Sequence, residues 1–302
     1  MNTHSAHPDS AHSHSMHGHA MNASVAPLER NWIRGLVLTC ALAIAVWVGL
    51  AASSHFVDPR AVPAGCVTLA TSKTDAVVTL AIVWTLLTLL GMGVGRLVNA
   101  VVGTFVVGAG CAALALRSSG VDGAIFDQAS MTALGAETLM WAVPVTITLV
   151  AIFRFSGSLP DIAPRFTSEP WWKEYFDLDA IRAGLVGALL PIVAWLVVRN
   201  MLKGQAFGGA CLGGITVGIA YRLIAPQITP LFAFVAPLIL MGLYQMFVAS
   251  RVTADLSMLF AAGALAPELR VMPADSVAGS LTGVAIGLGW ARSFRRSDTI
   301  TT

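Results

Sequence analysis

Long apolar runs separated by short polar segments dominate the chain. Seven of them are long enough to cross a membrane as helices: 35–53, 76–95, 97–116, 134–153, 181–200, 206–224 and 230–249. An eighth run, 276–294, is glycine-rich and less hydrophobic, and Arg292 is its one charged residue. A helix needs about 20 mostly apolar residues to cross a hydrocarbon core of roughly 30 Å. The pattern predicts an all-α, polytopic integral membrane protein with about eight transmembrane helices, seven or nine being the alternatives.

Composition supports this interpretation. Of the 302 residues, 56% are hydrophobic and 11% are charged, and the mean hydropathy is +0.75. Soluble domains carry about 25% charged residues. These values exclude a soluble enzyme, a nucleic-acid-binding domain, a disordered chain and a small disulfide-stapled module. The net charge of +2 predicts no nucleic-acid partner. The expected partners are the lipid bilayer and either a membrane protein or further copies of this chain.

The distribution of Lys and Arg predicts the orientation. With eight spans both termini share a side, and that side carries eleven of the 18 basic residues, against seven opposite. Cytoplasmic loops are enriched in Lys and Arg, so we expect both termini in the cytoplasm of a bacterial inner (plasma) membrane. Cleavage of the first span as a signal peptide is the weaker alternative, because its apolar run exceeds the usual 7–15 residues.

Polar composition divides the chain further. The predicted units are a disordered His-rich cytoplasmic tail, a first membrane half, a cytoplasmic connector, a second membrane half and a C-terminal tail: 1–30, 31–153, 154–180, 181–296 and 297–302. In the connector, Ser168 is a suitable N-cap for a short helix beginning near Pro170. Its aromatic residues, Trp171, Trp172, Tyr175 and Phe176, are typical of the headgroup level of a membrane.

Short matches between the halves are compatible with a parallel repeat of four plus four helices, or with chance. Ile33-Arg34 precedes Ile44 and Trp47 with the spacing by which Ile181-Arg182 precedes Ile192 and Trp195. The segment from Asp127 to Met131 resembles the segment from Asp255 to Met258. Glu137 precedes Arg154 by the interval that separates Asp275 from Arg292.

Histidine placement argues against several chemistries. The tail holds six histidines, of which His12, His14, His17 and His19 form pairs that give a weak metal site. No histidine lies within a span, so haem ligation between helices, an HExxH metalloprotease site and a Ser–His dyad are all excluded. Clustered carboxylates that could hold Mg²⁺ are likewise missing from the spans. We therefore expect no catalytic residues and no cofactor.

Two carboxylates are the candidates for a substrate or proton path. Glu137 stands inside an apolar stretch, where an acid is costly and marks a functional-site hypothesis. Its alternative is an interfacial position near the end of the fourth span. Asp275 is the candidate counterpart in the second half.

Glycine and proline describe the packing of the spans. Gly279, Gly283 and Gly287 form one stripe on the last span, and 209/213 and 214/218 form similar stripes on the sixth. Pro144, Pro191 and Pro237 fall within spans, where proline kinks or breaks helices. Two runs too short to span, 123–135 and 256–266, precede the last helix of each half and fit re-entrant or interfacial helices. Together these features favour a small-solute or ion permease, ahead of a non-catalytic subunit or scaffold of a complex and of a lipid-modifying enzyme.

Overall fold

The computed structural model describes residues 27–157, 159 and 175–296. This part of the chain is all-helical, without a β-strand. Its α-helices are α1 (Pro27–Ser53), α2 (Lys73–Leu97), α3 (Ala100–Arg117), α4 (Val121–Phe126), α5 (Met131–Met140), α6 (Ala142–Ser156), α7 (Leu178–Gly184), α8 (Leu189–Val197), α9 (Lys203–Ile224), α10 (Leu231–Arg251), α11 (Leu256–Ala261) and α12 (Pro273–Arg296). Short 3-10 turns occupy Leu185–Ala188 and Pro267–Arg270.

The helices confirm the predicted fold class. Seven helical stretches of the described chain are long and apolar enough to cross a membrane: α1, α2, α3, α5 with α6, α7 with α8, α9 and α10. Each coincides with one of the seven long apolar runs of the sequence. The chain is therefore a polytopic helical membrane protein, and the weakly apolar eighth run forms the 24-residue helix α12.

The helix ends define two faces of the bundle. Segments 54–72, 118–130, 198–202 and 252–272 lie together on one face, which we call the cap face. Hydrogen bonds join them there: the Ser119 N–H donates to the Pro63 carbonyl at 2.7 Å, and Lys203 Nζ donates to the Ser119 carbonyl at 3.2 Å. The opposite face, where α1 begins and α12 ends, is the terminal face.

Helix α12 runs in the same direction as α9. Its first turn meets the first residue of α9, since Asp275 pairs with Lys203. Further along, Gly214 of α9 faces Gly279 and Gly283, and Gly218 faces Val284. The two helices therefore run side by side in the same direction, from the cap face to the terminal face. Its length of about 36 Å, at 1.5 Å per residue, exceeds the hydrocarbon core.

Helix α12 occupies the centre of the bundle. Every residue from 271 to 285 is buried. Helix α9 packs along one side of α12, α3 along another, and Ser280 reaches across to α10. A Cβ on Gly283 or Gly287 would collide with the carbonyl of Cys211 or Ile215 on α9. The predicted glycine stripes are thus the surfaces along which helix backbones touch, as small residues allow.

Two of the three predicted proline breaks are present. The fourth span divides at Trp141 into α5 and α6, three residues before Pro144. The fifth span passes through the 3-10 turn Leu185–Ala188 just before Pro191. Proline lacks an N–H and its ring clashes with the carbonyl four residues earlier, which explains both positions. Pro237 lies inside an uninterrupted α10.

The two halves share one order of elements. Each contains three long helical segments, a six-residue helix and a final span: α1, α2, α3, α4 and α5–α6, then α7–α8, α9, α10, α11 and α12. Helix α3 packs against α12 and, correspondingly, α10 packs against α5. The short helices α4 and α11 meet through the rings of Phe126 and Phe260, whose centroids are 6.1 Å apart.

The two short helices end in the same turn. The Ala129 N–H donates to the Ala124 carbonyl, and the Ala264 N–H donates to the Leu259 carbonyl, each at 2.8 Å. The residue before each donor has a positive φ, 53° at Gln128 and 67° at Gly263, as in αL helix caps.

One sequence match between the halves was wrong in register. Asp127 ends α4 as its C-cap, whereas Asp255 begins α11 as its N-cap. The turns that do correspond lie around Gln128 and Gly263, and their sequences differ because backbone conformation defines such a turn. With six residues each, α4 and α11 lie on the cap face and are too short to re-enter the membrane.

Several predictions concern residues outside the described ranges. They are the His-rich tail with His12, His14, His17 and His19, most of the aromatic connector and the tail 297–302. Helix α1 begins at Pro27, slightly before the expected end of the tail. Of the connector aromatics, Tyr175 is buried and Phe176 packs edge-on against Phe232.

Candidate functional site

The cap face has an apolar core of its own, separate from the core of the membrane bundle. It is built by residues of three cap segments and of helix α5, and Met201 of the fourth segment packs against it. Its buried members are Ala64, Cys66, Leu69, Val121, Ala124, Ile125, Met131, Leu134, Leu265, Leu269 and Met272. Around it lie both carboxylates that the sequence singled out. The structure therefore brings Glu137 and Asp275 to the same end of the molecule.

Glu137 binds the backbone of the segment between α1 and α2. Its Oε1 accepts a hydrogen bond from the Val67 N–H at 2.8 Å. Its Oε2 accepts from the Thr68 N–H at 2.8 Å and from the Thr68 hydroxyl at 2.6 Å. The side chain is nearly buried, with the whole residue 9% exposed. Glu137 thus satisfies N–H groups of an irregular segment that has no helical partner for them.

Asp275 forms a buried ion pair in the first turn of α12. Its Oδ2 lies 3.0 Å from Lys203 Nζ and accepts the Met272 N–H at 3.1 Å. An acid in the first turn that bonds the N–H preceding the helix is one half of a capping box. Because Lys203 also bonds the Ser119 carbonyl, one ammonium group ties together α9, α12 and the turn after α3.

The thiol of Cys66 is subject to the charges of these groups. The residue is completely buried, and burial raises the pKa of its thiol, with the negative charge of Glu137 adding to the increase. Lys203 lowers the same pKa, and Asp275 raises it. Three charged side chains are thus near one thiol that is shielded from solvent, and that thiol is a weak nucleophile while it stays buried.

Four buried polar atoms near this junction have no hydrogen-bond partner within the described chain: Asp275 Oδ1, Ser276 Oγ, Ser119 Oγ and Asp127 Oδ2. Asp275 and Ser276 are adjacent and completely buried. Buried carboxylate oxygens normally have partners. The junction of α3, α9 and α12 therefore retains hydrogen-bonding capacity. In the described ranges, no group of three or more His, Cys, Asp or Glu is arranged to hold a metal.

A second charged group stabilises the segment between α1 and α2. Arg60 pairs with Asp58 at 2.7 Å and with Asp127 at 3.4 Å, and its guanidinium lies over the ring of Phe126. Burial alone would raise the pKa of Asp58, but hydrogen bonds from the N–H groups of Val62 and Arg60 and from the guanidinium outweigh it. The pKa of Asp58 is therefore below its usual value.

At mid-depth the bundle is tightly packed. A cavity of about 20 Å³ lies among α2, α3, α12 and the α5–α6 junction, and its lining includes Trp84, Leu87 and Trp141. That volume would hold about one water molecule, and an apolar lining of this kind stays dry. Two polar residues of α2 and α6 bond each other: the hydroxyl groups of Thr88 and Thr148 are 2.9 Å apart.

Sequence reasoning found the two carboxylates but missed most of their partners. Lys203 and Cys66 are partners that the hydropathy pattern does not reveal. A lysine as first residue of a helix opposes the helix dipole, which is a signal that it has a specific acidic partner. Gln245 of α10 accepts a hydrogen bond from Thr138 and donates to the Glu268 and Val271 carbonyls.

Comparison with family models, with curated proteins and with solved structures finds no match.

Proposed function

We propose that this multi-pass membrane protein is a non-catalytic subunit or scaffold that works within a larger membrane assembly. The observation that carries the proposal is the filled centre of the bundle, where α12 is enclosed by α3, α9 and α10 over residues 271–285. Backbone touches backbone at Gly283 and Gly287. A solute path along the axis would need polar, hydrated surface, whereas the cavity among α2, α3 and α12 has an apolar lining.

The cap-face carboxylates support the same proposal. Both oxygens of the Glu137 carboxylate accept hydrogen bonds from Val67 and Thr68, and Asp275 forms an ion pair with Lys203. Both act as tethers between segments. A proton carrier instead needs a carboxyl group that exchanges partners during each cycle. These contacts hold the segments of the cap face together.

The proposed setting is a bacterial inner membrane with both termini in the cytoplasm. Helix α1 begins and α12 ends on the terminal face, and the Lys and Arg bias favours the cytoplasm for that side. Reporter fusions after Thr302 and within 60–73 test the orientation. A periplasmic signal from the C-terminal fusion would contradict it.

The proposal is tested by the mass of the particle extracted from native membranes in mild detergent. The chain weighs 31.6 kDa, and we expect a larger protein mass with a second component, or further copies, in fixed ratio. A particle that contains a single chain would overturn the proposal. A disulfide between α9 and α12 supplies a second test. Cys211 Sγ and Thr282 Oγ1 are 3.7 Å apart, so the Thr282→Cys variant can form a disulfide with Cys211 on oxidation. If the protein is a scaffold, fixing these two helices together should leave the assembly intact.

A second candidate, a small-solute or ion permease, is favoured by the matching order of elements in the two halves. We propose that the halves arose by duplication, and parallel repeats of this kind are common among transporters. The 3-10 turn Leu185–Ala188 and the break at Trp141 are positions where spans could bend.

The same disulfide lock separates the two candidates. For a permease, the oxidised Thr282→Cys protein in proteoliposomes should lose ion or solute flux, and reduction should restore it. The reduced variant is the matched control. Flux that is present and unaffected by oxidation would contradict movement between α9 and α12.

A further inference from the structure

The segment between α1 and α2 has no equivalent in the second half. We call residues 54–72 the strap. The corresponding connection between α8 and α9, residues 198–202, is far shorter and passes directly from helix to helix. The strap is thus present in one half only, and we looked for its role in its contacts on the cap face.

The first part of the strap is held together by its own contacts. Val57 and Pro63 form an antiparallel bridge, and the Ala64 N–H donates to the Phe56 carbonyl at 2.8 Å. Inside this loop Asp58 Oδ1 accepts the Arg60 and Val62 N–H groups, each at 2.9 Å. Because these bonds are internal, the strap can change its position without losing them.

Ala64, Cys66 and Leu69 of the strap pack in the apolar core of the cap face. The polar attachment of the strap to the rest of the protein is concentrated in a few places. Ser119 bonds the Pro63 carbonyl at 2.7 Å, and the Arg60–Asp127 contact is 3.4 Å long. Glu137 makes the remaining polar attachment, with three hydrogen bonds to Val67 and Thr68. Bonds to an ionised acceptor are about twice as strong as neutral ones, so Glu137 is the main polar attachment of the strap.

The strap covers the polar junction of the cap face. Cys66 is itself a residue of the strap; it is completely buried, and the charges of Glu137, Lys203 and Asp275 act on its thiol. Asp275 is itself fully buried, and its Oδ1 has no partner within the described chain. Displacement of residues 65–69 would expose Cys66 and the Lys203–Asp275 pair to water. At the start of this stretch stands Gly65 with a φ of 69°, a backbone conformation that favours glycine, and it packs closely against Ser118.

We propose that the strap is a lid over the Lys203–Asp275 junction and that the Glu137 carboxylate is the latch that keeps it shut. The closed lid excludes water from the ion pair and protects the Cys66 thiol. Unlatching opens the cap face while the membrane bundle beneath remains folded. The proposal is independent of whether the protein is a scaffold or a permease, because it concerns the cap face alone.

Labelling of Cys66 by a charged maleimide measures the opening. The protein for this experiment is the full chain with Cys40 and Cys211 replaced by Ala, which leaves Cys66 and the membrane-buried Cys111. Glu137→Gln places an amide NH₂ where a carboxylate oxygen accepted a hydrogen bond. We expect labelling of Cys66 to become roughly ten- to hundredfold faster, from the loss of charged hydrogen bonds. Labelling of Cys111 should not change.

Two further variants keep the test decisive. Thr68→Val removes the hydroxyl bond but retains the N–H bond, so we expect a smaller acceleration of about threefold to tenfold. It also serves if Glu137→Gln fails to fold. Glu268→Gln is the matched control, since Glu268 is a buried glutamate of the cap face that contacts Tyr244. That change should leave Cys66 labelling as in the parent.

Two results would overturn the lid. One is unchanged Cys66 labelling in folded Glu137→Gln and Thr68→Val. The other is a parallel increase at Cys66 and Cys111, because that would mean unfolding of the whole bundle. If the lid proposal were contradicted, the scaffold proposal would be unaffected, because the scaffold proposal is tested separately by the mass of the extracted particle.

Discussion

Helices α2 and α12 show opposite relations between hydropathy and burial. Helix α2 is strongly apolar, yet only 22% of its most apolar stretch is buried in the protein. Helix α12 has three serines, a threonine, four glycines and an aspartate, including Ser280 and Asp275, and it is buried throughout residues 273–285. In water the more apolar helix would be the buried one.

The difference follows from the solvent. Lipid tails are as apolar as leucine, so burying α2 against protein gains little, and its large side chains such as Ile82 and Leu89 remain exposed. Helix α12 can leave the lipid because its small residues allow close packing and its polar groups find partners inside. Ser280, for example, bonds the Phe234 carbonyl of α10 at 2.7 Å. Substitutions should therefore be costly at the centre and tolerated at the periphery.

The largest expected effect comes from breaking the buried ion pair of the central helix. Lys203→Met leaves the Asp275 carboxylate buried without its cation, which should cost about 3–5 kcal/mol of stability. The peripheral pair Arg182–Asp179 is 3.4 Å long and more than two-thirds exposed, so Arg182→Met should cost less than about 1 kcal/mol. Unfolding of both variants in one detergent measures the difference, and equal losses would contradict the contrast between centre and periphery.

Added volume in the central seam is the next largest effect. A Cβ on Gly283 would overlap the Cys211 carbonyl, whereas Gly289 of the same helix has open space beside it. Gly283→Ala should cost roughly 1–3 kcal/mol, because two helix backbones must separate. Gly289→Ala should be neutral or stabilise by up to about 1 kcal/mol, through better helix propensity. Thermal melts of the two variants provide the test, and a stable Gly283→Ala would argue against backbone contact at the seam.

A smaller effect should follow from removing one interhelical hydrogen bond. Ser280→Ala deletes the bond from α12 to the Phe234 carbonyl and should cost roughly 0.6–1.7 kcal/mol. In Thr85→Ala the lost bond runs to the Ala81 carbonyl of the same helix, which faces lipid, and we expect almost no change. Chemical denaturation of the pair resolves the two values. If Thr85→Ala lost as much stability as Ser280→Ala, burial would not determine the energetic cost of losing such a hydrogen bond.

The smallest expected effect is the loss of hydrogen-exchange protection in the strap at low pH. The pKa of Asp58 is lowered in the folded protein, so its contribution to stability is complete above its unfolded pKa of about 3.9. That contribution disappears as pH falls through the lowered pKa. Hydrogen exchange at the Arg60 and Val62 amides, corrected for intrinsic rates, should show protection that is lost only in acid. Asp58→Asn should show weak protection without that pH dependence, and a variant that kept the wild-type profile would exclude Asp58 as its cause.

Much of the membrane architecture could be predicted from the sequence. The long apolar runs coincide with helices, and the glycine stripes of α12 and α9 are contact surfaces. Pro144 and Pro191 break their spans as expected. These features are local, because a bilayer requires a minimum apolar length and proline acts on its own turn. The aspartate match at Asp127 and Asp255 failed because two short sequences can resemble each other while they serve opposite ends of a helix.

The partners of the candidate carboxylates could be found only in the tertiary structure. Glu137 was identified from its cost in an apolar stretch, but Val67 and Thr68 lie about 70 residues away in the chain. Asp275 and Lys203 are similarly distant. The sequence by itself determined that the chain crosses the membrane and where each crossing begins, because transfer of a segment into lipid depends on that segment alone. The tertiary structure decided which helix lies at the centre and what each charge binds, because both depend on which distant surfaces fit together.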